Sequence, residues 1–335
     1  MDPKLIVVSY PYGAVSAASE SRHTIRAISL AVALLCGGLG MTACSSSTEP
    51  TGSTGMTSLI AFARHVNGRF EIYTMNVDGS DLRRLTHNES TDDTQPAWSP
   101  KADRIAFTGG GPSNSGVYVM DIDGASQTRL TTTRKGWDPA WSGDGRKIVF
   151  AGPNAQGIAS DIWVMNAEGS GQTRLTSDRN FWGPTWSPNS QRIAFQSPLD
   201  IWVMNADGTG RIQLTNDLAA FAPAWSPDGS RIAFTRVLDF DPQDVLAGNL
   251  EIFVMNANGS NLINLTNDPA VDALPTWSPD GSKIAFLRVI DAKTNPFEGN
   301  YEIFVMNADG SGQTNLTKDP SMDSDPAWSP ALVAR

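Results

Sequence analysis

From Leu59 onward the apolar residues fall in short runs separated by polar turns, and helical spacing is absent. One run reads Ile-Ala-Phe, once Ile-Val-Phe, and begins at Ile60, Ile105, Ile148, Ile193, Ile232 and Ile284. A second reads aromatic-x-Met, with Met75, Met120, Met165, Met204, Met255 and Met306 at its end. Both are β-branched or aromatic and bounded by Asp, Asn, Gly and Ser, which predicts strands. In the second run the apolar residues are consecutive, as at Ile303, Phe304, Val305 and Met306, so both faces of that strand must be covered. The segments between them, such as Pro279-Asp280-Gly281 and Asn307-Ala308-Asp309-Gly310, read as hairpin turns. Asp and Asn tolerate left-handed backbone angles there, and Gly adopts positive φ without a steric penalty.

Two further motifs keep step with these. Trp-Ser-Pro, once Trp-Ser-Gly, starts at Trp98, Trp141, Trp186, Trp225, Trp277 and Trp328. Leu-Thr starts at Leu85, Leu130, Leu175, Leu214, Leu265 and Leu316. Four motifs in six copies and one fixed order define six repeats, each supplying four strands: a (P-A-W-S), b (K-I-A-F), c (E-I-F-V-M-N) and d (T-R-L-T). A four-stranded antiparallel unit every 40 to 50 residues, apolar on both faces, predicts an all-β, six-bladed β-propeller. Length alone, at about 150 residues per domain, suggests two domains. The repeats overrule that, and 58–335 is read as one propeller. The repeats begin at a strand b and end at a strand a. Pro326–Ser329 is therefore expected to pair beside Ile60–Phe62, closing the ring and removing open sheet edges.

The N-terminus has a different character. Arg22 and Arg26 precede an apolar, small-residue stretch at 27–43, the pattern of a secretory signal. Met41-Thr42-Ala43-Cys44 at its end resembles the lipobox of bacterial lipoproteins, which implies lipidation of Cys44 and a signal spanning 1–44. Residues 45–57, rich in Ser, Thr and Gly, read as a flexible tether. Ser45 after the cysteine resembles outer-membrane sorting, so the expected location is the periplasm or the outer membrane facing it, with membrane contact through the lipid anchor only.

Composition narrows the chemistry. The chain has 35 acidic and 25 basic residues in 335 and no Lys/Arg run, a poor match to a phosphate backbone, so no nucleic acid is expected as a partner. Its two cysteines, Cys36 and Cys44, both precede the repeats, which leaves neither a disulfide framework nor a Cys-ligated metal.

WSPDGSKIAF followed by EIFVMNADGSGQTNLT resembles the WD40-like propeller repeat of TolB-type periplasmic proteins, over about 270 residues. The same repeat is found in tricorn-type and dipeptidyl-peptidase propellers. The resemblance implies a propeller that binds an envelope protein such as a peptidoglycan-associated lipoprotein. Residues 45–57 hold no counterpart of the α/β domain that precedes the propeller in TolB.

Strand order puts the tight a–b and c–d turns on one face, and the variable b–c and d–a loops on the other. Two adjacent b–c loops are long, Leu238 to Leu250 and Ile290 to Tyr301. The d–a loops lead to the channel and differ in every blade. They offer an aromatic arc of Trp137, Phe181, Trp182 and Phe221, and an acidic arc that includes Asp93, Asp272, Asp323 and Asp325. Variable loops on a rigid scaffold concentrate binding residues, so these eight are the expected partner-binding set. Converging carboxylates suit a channel-bound cation such as calcium; no other cofactor or metal site is expected. The strand-c aromatics and strand-a tryptophans recur at fixed positions and are read as packing. The Asp-Gly segments are read as turns, because they lack the remaining ligands of a calcium loop.

No catalytic residues are expected. There is no G-x-S-x-G, H-E-x-x-H, P-loop or dinucleotide fingerprint. The first reading is a monomeric, non-catalytic binding scaffold of the bacterial envelope. A second is a carbohydrate-active enzyme similar to oligogalacturonate lyases, a family that uses histidine-held metal, whereas only His65 and His87 follow the signal. A third is a small-ligand sensor with its site at the channel mouth.

Overall fold

A computed structural model describes residues 56–111, 113–157, 160–177, 180–198, 200–216, 219–239, 249–291, 299–330 and 333–334. Cys44, the signal, the tether at 45–55 and the interiors of the two long b–c loops lie outside the described residues. Among those described there is no helix.

Six four-stranded antiparallel sheets form the propeller, each in the order a-b-c-d. Blade 1 is built from both ends of the chain. Its strand a is Asp323–Trp328, and strands b to d are Leu59–Val66, Arg69–Asn76 and Arg83–Arg84. Blades 2 to 6 follow along the chain, with strands a at Thr94–Trp98, Trp137–Trp141, Trp182–Trp186, Ala220–Trp225 and Val271–Trp277. In blade 1, Ile60 pairs with Trp328 and Ala61 with Ala327, as the repeat phasing predicts. The ring closes a second time just beyond, where Met56–Thr57 pairs with Val333–Ala334. Met56 and Thr57, read from the sequence as the end of the tether, belong to this ribbon.

The motifs explain the packing. In Ile-Ala-Phe, Ile and Phe point to one side of the blade and Ala to the other, because side chains alternate along a strand. In strand c, Ile and Val share the Ala side and Met shares the Ile/Phe side. Every blade therefore has a small face and a large face. Val149, Ile162 and Val164 of blade 3 cover Trp186, Ile193, Phe195 and Met204 of blade 4. Ala285, Ile303 and Val305 of blade 6 cover Ile60, Phe62, Met75 and Trp328 of blade 1 in the same way. The six strand-b phenylalanines are essentially inaccessible. Burying a Phe this fully contributes about 1.5–3 kcal/mol, and each such contact spans two blades, so a blade cannot fold alone.

The Leu-Thr and Trp-Ser motifs fix the strand ends. Each motif threonine hydroxyl accepts the N–H of an isoleucine or valine of strand c, as Thr266 does from Ile252 at 3.0 Å. In five blades it also donates to an acid at the start of strand c, for example Thr215 to Asp200 at 2.9 Å and Thr266 to Glu251. The motif serine donates to the turn acid and accepts the strand-b N–H, as Ser278 does with Asp280 (2.6 Å) and Lys283 (2.9 Å). In blade 1 the turn is missing, yet Ser329 still accepts from Leu59 at 2.9 Å. Blade 3 has Gly143 in place of the motif proline. A Cβ there would sit 2.0 Å from the carbonyl oxygen of Pro188 in blade 4.

Candidate functional site: the central channel

Strand a lines the channel in every blade. Each strand a carries a left-handed residue directly before its proline: Gln95, Asp138, Gly183, Ala222, Leu274 and Asp325, with φ of 52–57°. The register against strand b slips at each of these points, so the residue forms a bulge. A bulge re-aims a side chain and frees a backbone N–H.

Those N–H groups are joined between blades. Asp325 of blade 1 accepts from the Gln95 N–H of blade 2. The Gln95 side-chain oxygen accepts from the Asp138 N–H at 3.2 Å, and Asp138 Oδ2 accepts from Gly183 N–H at 3.1 Å. Where the bulge residue has no acceptor, strand b supplies one. Gln196 Oε1 takes the Ala222 N–H at 2.6 Å, and Thr235 Oγ1 takes that of Leu274 at 3.0 Å. At the sixth junction, between blades 6 and 1, the corresponding residues are Leu274 and Leu287, whose side chains contain no acceptor.

Inside this belt lies a cavity of about 1060 Å³. Trp137, Trp182 and Phe221, the residues two before the proline in three successive blades, line it. Asp92, Gln95, Asp138 and Asp325 also line it, with Asp138 next to Trp137 in the same strand. Gln95 also donates its side-chain amide to Asp138. Desolvation in the channel wall pushes both Asp138 and Asp325 up to about 6. The nearby Asp325 charge raises Asp138 further, while its bond from Gly183 opposes the shift.

The predicted binding set therefore divides. Trp137, Trp182 and Asp325 are half-buried on the channel wall, and Phe221, though 7% exposed, also borders the cavity. Phe181 does not reach it. It is fully buried, edge-on to Phe195 with ring centroids 5.0 Å apart. Asp93, Asp272 and Asp323 are buried too, one position earlier in strand a, where the side chain points into the sheet. Asp323 lies opposite Arg64 and holds it through two bonds of 2.7 Å; Asp272 holds Arg288 through two of 2.6 Å. These are cross-strand braces; burial pushes both carboxyls up to about 7, and the paired guanidinium opposes that shift. Asp93 has Gly109 where the others have arginine. It keeps a bond from Asn88, and desolvation pushes it up to about 7. The acidic arc thus shrinks to Asp92, Asp138 and Asp325. Among the described residues no cluster of three or more His, Cys, Asp or Glu has metal-binding geometry.

Asp138 and Gln95 escaped the sequence reading. Their signal was available: each stands directly before the strand-a proline, the position that turns toward the channel in all six repeats.

With this geometry established, the chain can be set beside known proteins. It matches the TolB beta propeller domain over residues 46–217 and 200–296. The chain belongs to the TolB β-propeller domain family. It is 37% identical over 87 residues to the Tol-Pal system protein TolB 1 of Novosphingobium aromaticivorans, a stretch covering 26% of this chain and 18% of that protein. TolB from Acinetobacter baumannii superimposes with a TM-score of 0.64 at 19% identity, over 81% of this chain and 66% of that one. An oligogalacturonate lyase in complex with manganese superimposes less well, with a TM-score of 0.51 at 15% identity over 76% of this chain and 73% of that one. At such identities the two structures speak to fold alone. In this TolB-type propeller the described histidines stand away from the cavity. His65 packs edge-on against Phe70 at 5.2 Å in blade 1, and His87 borders a separate, smaller pocket.

Proposed function

We propose that this chain is an exported, lipid-anchored, TolB-like propeller that binds an envelope protein at the wide-loop mouth of its channel, without catalysis. The partner class is a peptidoglycan-associated lipoprotein, by analogy with the Tol-Pal relatives. One observation carries the reading: Trp137, Trp182 and Phe221 share the lining of a single cavity with Gln95, Asp138 and Asp325. Aromatic side chains give large contact area at small entropic cost, and a few polar groups beside them fix orientation. The belt of inter-blade hydrogen bonds holds that surface rigid before binding, which lowers the cost of association. The putting-together of Cys44 and the tether at 45–55 with this mouth describes an anchored body presenting one surface.

The test is direct binding of purified peptidoglycan-associated lipoprotein to the wild-type protein and to a Trp137→Ala/Trp182→Ala variant. Circular dichroism must first show that the wild-type protein and the double variant are both folded. Loss of binding in the double variant supports the assignment; unchanged binding places the contact elsewhere.

A further inference from the structure

Blade 1 differs from its five neighbours at one point. The others link strand a to strand b by a tight turn, Ser-Pro-Asp-Gly or a variant of it. Blade 1 has no such link, because its strands a and b are 257 residues or more apart in the sequence and meet only by pairing. Ser329 closes strand a and Leu59 opens strand b, joined by bonds of 2.8 and 2.9 Å. The ribbon of Met56–Thr57 with Val333–Ala334 continues outward from this junction. It stands where the missing turn would be, on the tight-turn face. The N-terminal lead from Cys44 enters the disc through that ribbon.

We propose that the tight-turn face looks toward the membrane and the wide-loop channel mouth looks away from it. The proposal rests on the lipid-anchor reading above and adds the orientation that reading lacks.

Chain length supports it. Residues 45–55 lie between Cys44 and the ribbon, and eleven residues extend to at most about 40 Å. For the opposite face to approach the bilayer, this stretch would have to run from strand b over the rim and down the edge of the disc. With strands about 4.8 Å apart and an eight-residue strand b of about 27 Å, that route takes roughly 35 Å. Almost nothing would remain to reach the lipid.

The experiment uses the full lipidated protein in vesicles of phosphatidylethanolamine and phosphatidylglycerol carrying an acceptor dye on the headgroup. After residue 36 the only native cysteine is Cys44, which acylation blocks. A donor dye can therefore be placed at Ala125→Cys, exposed in a c–d turn, or at Ala155→Cys, exposed in a b–c loop. Energy transfer from position 125 should exceed that from 155 by about twofold, since the labels stand roughly a strand length apart along the axis. Equal transfer, or more from 155, overturns the orientation while leaving the anchor intact. Protein that fails to float with the vesicles, or whose mature N-terminus carries no acyl group, overturns the anchor and the orientation together.

Discussion

The two faces of the disc are built from the same strands and follow opposite rules. On the tight-turn face blades 2 to 6 solve the same problem in one way: a motif serine stands between an Asp or Asn side chain of the turn and a strand-b N–H. Even blade 1, which has no covalent turn, keeps the serine contact. On the wide-loop face the position two before the proline is Ser, Thr, Trp, Trp, Phe and Ala in blades 1 to 6. The residue before that is Asp in blades 1, 2 and 6, and apolar or Gly in the rest. The backbone tolerates this variety because the bulge, not the side chain, sets its path. The repeat therefore specifies a scaffold on one face and leaves the other free to carry contacts.

Blades also differ around the wide-loop face. In blades 5 and 6 strands b and c run to eight residues each. Their extensions form a separate apolar cluster of Phe221, Val237, Leu250, Val271, Leu287, Val289 and Tyr301. Blade 4, with five-residue strands b and c, has no such extension. The channel mouth is thus raised on one side.

The largest expected effect comes from removing ring closure. Truncation after Asp325 deletes the second half of strand a of blade 1, including the Trp328 and Ala327 pairings, and cooperative thermal unfolding should be lost. Truncation after Pro330 removes only the outer ribbon and should lower the melting temperature by a few degrees at most. Similar curves for the two truncations would mean that strand a does not close the ring.

Next is Asp323→Ala, which leaves Arg64 buried without its main partner. A cost of about 3–5 kcal/mol is expected in urea denaturation, as for other broken buried pairs. The matching loss for Asp272→Ala would show that blades 1 and 6 use one device. Thr266→Val should cost about 1–3 kcal/mol, since it removes the acceptor of the Ile252 N–H and the hydroxyl that donates to Glu251 Oε2.

A pH dependence completes the series. Asp93 lacks an arginine, and its folded-state pKa of about 7 lies above the unfolded value of 3.8. Between these values the folded state binds more protons than the unfolded chain. Stability contributed by protonated Asp93 is therefore lost as pH rises from about 4 through 7, by no more than about 4 kcal/mol. Asp93→Asn should flatten that slope in denaturation curves from pH 4.5 to 8.5. An unchanged slope would mean that Asp93 is ionised throughout.

Blade number, strand order and ring closure were legible in the sequence because propeller packing demands the same small and large residues in every repeat. The channel was legible only in part. Trp137, Trp182 and Phe221 were found because aromatic residues in variable loops stand out. Asp272 and Asp323 were misplaced because their role depends on strand register: each lies opposite the arginine of an Ile-Ala-Phe-x-Arg sequence, Arg288 and Arg64. That pairing was written in the sequence, but a single residue of register decides whether a strand side chain faces the sheet interior or the channel. The ribbon at Met56–Thr57 was unreadable, since two residues carry no pattern.

The central claim is that contacts belong to one face. Hydrogen exchange of the full-length protein with and without purified peptidoglycan-associated lipoprotein tests it most directly. Added protection should appear around 135–138, 181–183 and 219–222, with the turns at 76–80, 121–125 and 256–260 unchanged. Protection concentrated in those turns instead would contradict the account.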